Sequence, residues 1–326
     1  MSSRRFAIVA ALLAAILLLA VSAGAAEVKF TKAVRIIVPY APGGSSDILA
    51  RLIGPHLSKA IGQPVVVENK VGASGNIGAD FVAKAEKDGH TMLITDVGTL
   101  SAAPNLFSKL TFNVEKDLTP VTMVLFAPYI LAVHPSVPVK DVAELVAYAK
   151  ANPDKTNLAH SGVGSVGHLT GFVLAKHWGI TWKYVPYKGG AAAIRAVVAN
   201  ESNVIINGAP PTAPFVIQNQ LKGIAVSGTN RLPALKNLPC FMELKLPAVD
   251  SGTWQGIVTT AGTPAPVVAH LNAEIKKVLT MPEIKKKIED MGGEVIANSP
   301  DEFGAWMKNS IATWGAVVRE AGIKLE

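Results

Sequence analysis

A single cysteine, Cys240, stands in a chain of 326 residues. It excludes an intrachain disulfide and leaves no lipobox thiol near the N-terminus for a lipid anchor. Aromatic residues make up only 6% of the chain, and no arginine-rich run is interleaved with them, which argues against nucleic-acid binding. After Val21 no apolar run reaches the length needed to span a bilayer. The signatures of catalysis are missing as well. Around Ser165 the first glycine of a G-x-S-x-G elbow is replaced by Val163, and around Ser74 the last is replaced by Asn76. The seven histidines contain no H-E-x-x-H pair, and Cys240 has no partner thiol, so no metal site is expected. Between Asp154 and Glu201 there is no acidic residue at all. That gap weighs against a dinucleotide site at Gly162-Val163-Gly164-Ser165-Val166-Gly167, because the G-x-G-x-x-G fingerprint needs a carboxylate about 20 residues on to hold the ribose. No cofactor is expected.

What is present begins with an export signal. Arg4 and Arg5 precede an apolar run from Phe6 to Val21, and the small residues Ala23-Gly24-Ala25-Ala26 follow. A basic start, an apolar middle and a small-residue end read as a cleaved secretory signal over residues 1–26; the competing reading is a single membrane anchor. Cleavage would leave 29 basic against 24 acidic residues, a spread-out +5. The remaining chain of about 300 residues suits two domains.

Strand and helix signals alternate almost throughout, which predicts an α/β fold with largely parallel sheets. Five times a β-type run breaks into a small-residue turn and then a helix-like segment. These turns are Pro42–Ser46, Gly72–Gly75, Val97–Thr99, Ser161–Ser165 and Lys188–Gly190, of which the third is the weakest. A glycine turn opening a helix leaves free amides and the positive end of the helix dipole aimed at one point, which is an anion site. Ser46 or Asp47 is expected to cap the first helix. The long β-rich stretch Val121–His134 carries Pro128, which predicts a bend. Repetition of the module on either side suggests two lobes joined by crossing strands, near Val121–His134 and Gln255–Thr260. The expected division is 27–127 and 255–326 for one lobe and 128–254 for the other.

The acid-free window holds Lys155, Lys176, Lys183, Lys188 and Arg195, a positive field favouring an anion. Lys155, Lys176 and Lys183 read as a solvated face, and Lys188 as the rim of the site. His160 and His168 flank a glycine turn; ligand contact and packing are both open, and for His168 they are evenly balanced. Trp306 and Trp314 read as core or lobe-packing residues of the terminal helix.

Several motifs in order resemble one family. They are V-P-Y-A-P-G-G-S-S-D at Val38–Asp47 with Arg51, V-E-N-K-x-G-A-x-G-N-I-G-A-D at Val67–Asp80, and D-G-H-T-M-L at Asp88–Leu93. Then come A-Y-A-K-A-N-P at Ala147–Pro153, S-G-x-G-S-x-x-H-L at Ser161–Leu169, V-P-Y-K-G-G-A at Val185–Ala191 and W-x-x-V-V-R-E-A-G-I-K at Trp314–Lys324. Together they resemble the extracytoplasmic solute-binding receptors of tripartite tricarboxylate transporters, the Bug family, from Val34 to Glu326. The resemblance implies a two-lobed periplasmic binding protein of type II, a Venus flytrap. It would be a periplasmic, monomeric, non-enzymatic receptor that hands a small carboxylate to integral-membrane permease subunits. The matching site positions are Tyr40, Ala41, Pro42, Gly43, Gly44, Ser45 and Ser46, then Asp96, Gly98 and Thr99. In the second lobe they are His160, Ser161, Gly164, Ser165, Lys188, Gly189, Gly190, Ala191 and Asn207.

Three positions depart from the family. Asn207 stands where an aspartate is frequent, Asp96 where a small polar residue is usual, and His160 where a small residue is common. Loss of the carboxylate at 207 disfavours an amino group on the ligand, whereas Asp96 favours one. The expectation leans to a carboxylate or dicarboxylate without an amine, aromatic ones included. Two other classes stay open: an exported enzyme using Asp47, Asp96 and His160 as acid–base groups, and a sensor presenting its bound form to a signalling partner.

Overall fold

The computed structural model describes residues 28–247 and 252–325. The export signal read over 1–26 lies outside them. The chain enters on β1 (Val34–Val38), buried and apolar except at Arg35, which pairs with Glu68 of the neighbouring strand, as suits a strand covered on both faces. Strands β2 (Val65–Asn69) and β3 (Thr91–Asp96) flank it in parallel. Helix α1 (Ser45–Ile61) links β1 to β2, and α2 (Asn76–Ala83) links β2 to β3. Leu49, Ile53 and Leu57, four residues apart, line the buried face of α1, and Gly62 ends the helix in the left-handed conformation (φ 68°).

The sheet is not wholly parallel. After a wide π-helical turn (Gly98–Ala102) and the short helices α3 (Ala103–Leu106) and α4 (Val114–Asp117), β4 (Leu118–Ala127) leaves this lobe. Strand β10 (Thr253–Thr260) brings the chain back and lies between β4 and β3, antiparallel to both. A strand that returns the chain has to run against the one that carried it out, a constraint that local periodicity does not express. The order is β11-β4-β10-β3-β1-β2, with the two-residue β11 (Glu294–Val295) at the edge.

The second sheet, β7-β6-β8-β5-β9, is built from β5 (Tyr129–Val133), β6 (Asn157–His160), β7 (Lys183–Pro186), β8 (Val204–Gly208) and β9 (Lys222–Val226). Here β5 is the reversed strand, antiparallel to β8 and β9, while β6 pairs in parallel with β7 and β8. The expected β-rich stretch is thus two strands in different sheets, broken at Pro128. Helices α5 (Val142–Ala151), α6 (Val166–Trp178), α7 (Gly190–Val198) and α8 (Ala209–Ile217) serve this lobe. The Asp141 side chain caps α5 by accepting from the Glu144 amide at 2.8 Å. Helix α8 escaped the sequence reading because it carries Pro210, Pro211 and Pro214. The first two sit in its opening turn, where no amide donor is needed.

The chain ends in the first lobe with α9 (Ala265–Leu279), α10 (Pro282–Asp290) and α11 (Pro300–Ala321). A reciprocal capping box of Ser299 and Glu302 fixes the start of α11. Trp314 is fully buried, as expected, but Trp306 is 40% exposed and meets Phe126 edge to face. Its position, eight residues back, lies on the solvent side of the helix. The lobes meet along a seam beside the cleft and again where Gly292 approaches Leu232 and Ala209. Ser74 Oγ donates to the Val163 carbonyl at 3.0 Å, and Lys176 of α6 pairs with Glu320 of α11. Among the described residues no helix is long and apolar enough to cross a membrane.

Candidate functional site

Between the two sheets lies a cleft of about 480 Å³, counting the space that opens to solvent. From the first lobe Tyr40, Gly44, Ser45, Ser46, Asp96, Thr253 and Gln255 line it. From the second come Tyr129, Ser161, Val166, Gly167, Gly190, Asn207, Gly208 and Pro211. The starts of four helices, α1, α6, α7 and α8, converge here.

Each start offers something different. In α1 the N-cap is Gly44, in extended conformation, with no side-chain cap. Neither Ser46 nor Asp47 caps the helix, contrary to expectation. Asp47 sits in the first turn and reaches back to accept the Gly43 amide at 2.9 Å. That leaves the amides of Ser45 and Ser46 without helical partners, and they border the cleft. Ser46 Oγ is held by Gln255 Oε1 at 2.6 Å. In α6 the first-turn amides of Val166 and Gly167 are free in the same sense, and Ser165 Oγ is buried with no partner. A Cβ on Gly167 would lie 2.2 Å from the Ile206 carbonyl, so only glycine lets α6 come this close to β8. In α7 the amides of Gly190 and Ala191 follow an N-cap glycine with φ 105°. Helix α8 supplies its dipole but few donors, because Ala209 N–H goes to the Pro128 carbonyl and Pro210 and Pro211 have none.

The third glycine turn differs from the others. Its amides already have an anion: Asp96 Oδ1 accepts from Gly98 N–H at 3.0 Å, weakly from Thr99 N–H at 3.4 Å, and from Tyr40 Oη at 2.7 Å. The expected donor site at Val97–Thr99 is therefore filled from within. Burial pushes the Asp96 carboxyl up, against the pull of those donors. Burial, and then the Asp96 charge, push the Tyr40 phenol well above its usual value. Thr99 is fully buried and bonds Tyr40 Oη at 2.8 Å.

His160 does not reach the ligand space. It is 1% exposed and lies behind the second-lobe turn, stacked on His168 with ring centroids 4.5 Å apart. Its Nδ1 is 2.7 Å from the Gly162 carbonyl and must donate to it. His168 Nδ1 accepts the Gly164 amide at 3.0 Å, so both imidazoles brace the turn. Burial lowers both to about 4, and His160 adds to the effect on His168. The side chain at 160 took its place from the strand alternation of β6, which turns it toward α6 and not toward the cleft.

The remaining expected positions divide among cleft, seam and rim. Gly98, Gly164 and Ser165 line a small gap at the lobe seam with Ser161 and Leu106. Ser161, Lys188 and Gly189 line an outer opening with Tyr40 and Ser74, which places the exposed Lys188 at a rim. Gly43 faces Ala191, and Gly189 faces Ala41, across the seam. Pro42 is exposed and borders none of these spaces. Asp47 is hydrogen-bonded on all sides: burial alone would raise its carboxyl, but Arg51, the Gly43 amide and Asn69 outweigh this and lower it. Tyr129, Val166, Gly167, Gly208, Pro211, Thr253 and Gln255 were missed. One signal was legible for Gly208: a glycine between a β-type run and a proline-opened helix is a sixth strand–turn–helix step.

The family and the fold have counterparts among known proteins. A family model described as "Tripartite tricarboxylate transporter family receptor" matches residues 49–323. The periplasmic binding protein BugD is similar in structure, with a TM-score of 0.87 and 30% identity, over 91% of this chain and 100% of its own. An R. palustris protein with adipate gives 0.86 and 32%, over 90% and 98%. MatC from Rhodopseudomonas palustris with bound malate gives 0.84 and 32%, over 88% and 99%.

Proposed function

The chain belongs to the tripartite tricarboxylate transporter receptor family, and from that premise we propose that it captures a small organic carboxylate or dicarboxylate in the cleft between its lobes. The observation that carries this is the convergence of α1, α6 and α7 on one polar cleft from both lobes, with first-turn amides that have no helical partner. The carboxylate would sit on the amides of Ser45 and Ser46 and on those of Val166, Gly167, Gly190 and Ala191, with the Ser161 hydroxyl and the side-chain NH2 of Gln255 completing the donors, the Ser46 hydroxyl being spent on Gln255 Oε1. The adipate and malate of the two neighbours point to the same ligand class for this chain.

The receptor would be exported through the signal over 1–26 and work as a monomer in the periplasm. One lobe would comprise 27–127 and 255–326, and the other 128–254, hinged where β4 passes to β5 and where β10 returns. Closure would be driven by differential affinity, because only the closed form brings both lobes' amides to one anion. The loaded form would then dock on integral-membrane permease subunits. An enzyme reading has less to work with: Asp47 is tied to Arg51, and His160 sits behind the turn, 1% exposed.

The test is thermal unfolding of the mature protein against a carboxylate library, followed by mass spectrometry of the recovered ligand. At 100 times its Kd a ligand stabilises by about 2.7 kcal/mol, a rise of several degrees. Such a rise with the ligand chemically unchanged supports the receptor. Turnover of the ligand would move the case to an enzyme, and no shift with any carboxylate would refute the proposal.

A further inference from the structure

Asp96 is the one charged side chain lining the cleft among the described residues. Its two oxygens are treated unequally. Oδ1 takes the Tyr40 hydroxyl at 2.7 Å and the Gly98 amide at 3.0 Å, with the Thr99 amide more distant at 3.4 Å. No side chain among the described residues donates to Oδ2. Oδ2 is not one of the buried polar atoms left without a partner, so solvent reaches it; a ligand that displaces the solvent has to supply a hydrogen bond in its place, or the oxygen is left desolvated at a cost. No cation balances it inside the cleft: Lys188 lines the outer opening with Tyr40, Arg51 is spent on Asp47 and Asn69, and the imidazoles of His160 and His168 lie behind the second-lobe turn. The other lining groups near it are the neutral hydroxyls and amides of Tyr40, Ser45, Ser46, Asn207 and Gln255.

Resting on the receptor reading above, we infer that Asp96 sets the ligand class: the cleft selects a carboxylate that also carries a hydrogen-bond donor, a hydroxyl or an ammonium group, for Oδ2. The ligand's carboxylate goes to the helix starts, and its donor goes to Asp96. A dicarboxylate with no donor brings two negative charges beside a third, in a space with no cation. It is disfavoured twice, by repulsion and by an unpaired acceptor. This places weight opposite to the loss of a carboxylate at Asn207, whose amide is already engaged with Thr212 Oγ1 at 3.0 Å.

Matched probes separate the terms. Malate and succinate differ by one hydroxyl, and aspartate places an ammonium group at the same carbon. Calorimetric titration of the mature protein at pH 8, with the diacids fully ionised, should rank malate or aspartate above succinate by about ten-fold or more, the range of a hydrogen bond to a charged group. Which of the two binds tighter tells hydroxyl from ammonium. Asp96→Asn keeps an acceptor in the place of Oδ1 for Tyr40, Gly98 and Thr99, and turns Oδ2 into a donor. The variant should fold as the wild type does, lose the preference, and bind succinate better than the wild type does. Equal binding of all three probes, unchanged in Asp96→Asn, would overturn the assignment while leaving the receptor reading intact. A wild type that binds no carboxylate in the wider library would overturn both.

Discussion

The stacked imidazoles of His160 and His168 make acid a specific perturbation of this protein. The rings lie 4.5 Å apart at 16°, are 1% and 8% exposed, and hold the Gly162 carbonyl and the Gly164 amide. Both are lowered from 6.5 to about 4, mainly by burial. A group held low in the folded state binds its proton sooner when unfolded. Its contribution is therefore complete above pH 6.5 and is lost as pH falls toward 4. A displacement of this size is worth about 3 kcal/mol for each ring. At mid-window, with both rings protonated only in the unfolded chain, stability should fall by about 2.7 kcal/mol per pH unit. Protonating His168 Nδ1 also removes the acceptor for the Gly164 amide, so the second-lobe turn should loosen and ligand affinity fall in the same range. Carboxylates held low, such as Asp88 at about 2, lose their contribution from about pH 5 downward, and Asp96, pushed up by burial, acts in the opposite sense; a variant that keeps every carboxylate and removes the two imidazoles separates these contributions. The assay is urea unfolding from pH 7.5 to 4.5, with the His160→Asn/His168→Asn variant beside the wild type. Asparagine can place an amide hydrogen or oxygen where each Nδ1 stood, without titrating. A wild-type profile flat between pH 6.5 and 4.5, or one the double variant reproduces, would refute the reasoning.

Three substitutions probe the glycine turns. Gly44→Val should leave the melting temperature within about a degree and abolish binding: Gly44 is extended, a Cβ there meets nothing nearer than the Ala41 carbonyl at 3.7 Å, and the added methyls fill the cleft. Wild-type affinity would remove Gly44 from the site. Gly164→Val should cost about 1–3 kcal/mol, because φ is +79° and β-branched residues are strained there. Its Cβ would also lie 2.0 Å from Leu106 Cδ1 across the seam, so solution scattering should report more open lobes, partly restored by Leu106→Ala. An unchanged scattering profile would show that the seam is not as drawn. Gly167→Ala should cost about 1–3 kcal/mol by pushing α6 off the Ile206 carbonyl and should weaken carboxylate binding; unaltered urea stability would contradict that close approach.

Much of this was legible because it is local. The alternation of β-runs and amphipathic helices, the break at Pro128 and the glycine turns before α1, α6 and α7 all depend on spacing and turn chemistry within a few residues. So do the ordered motifs that resemble the transporter receptors, a resemblance the family match and the structural neighbours bear out. The reading of an export signal over 1–26 rests on the order of charged, apolar and small residues there, which lies outside the described residues. The helix α8 was hidden by its own prolines, which read as loop until their place in the first turn is known.

What only the tertiary structure decided is which of these local features stay free to act. Five turns offered amides; those of the third are taken locally by Asp96, two residues before Gly98, and the fold then brings Tyr40, 56 residues away, onto the same oxygen. His160 looked like a contact and became a brace, because β6 turns it onto His168 of the next helix. Gln255 and Thr253 reached the cleft only because β10 returns between β3 and β4, antiparallel to both. Local sequence determines where a donor can form. Whether it is satisfied, and by what, depends on partners tens to hundreds of residues away, brought together by burial.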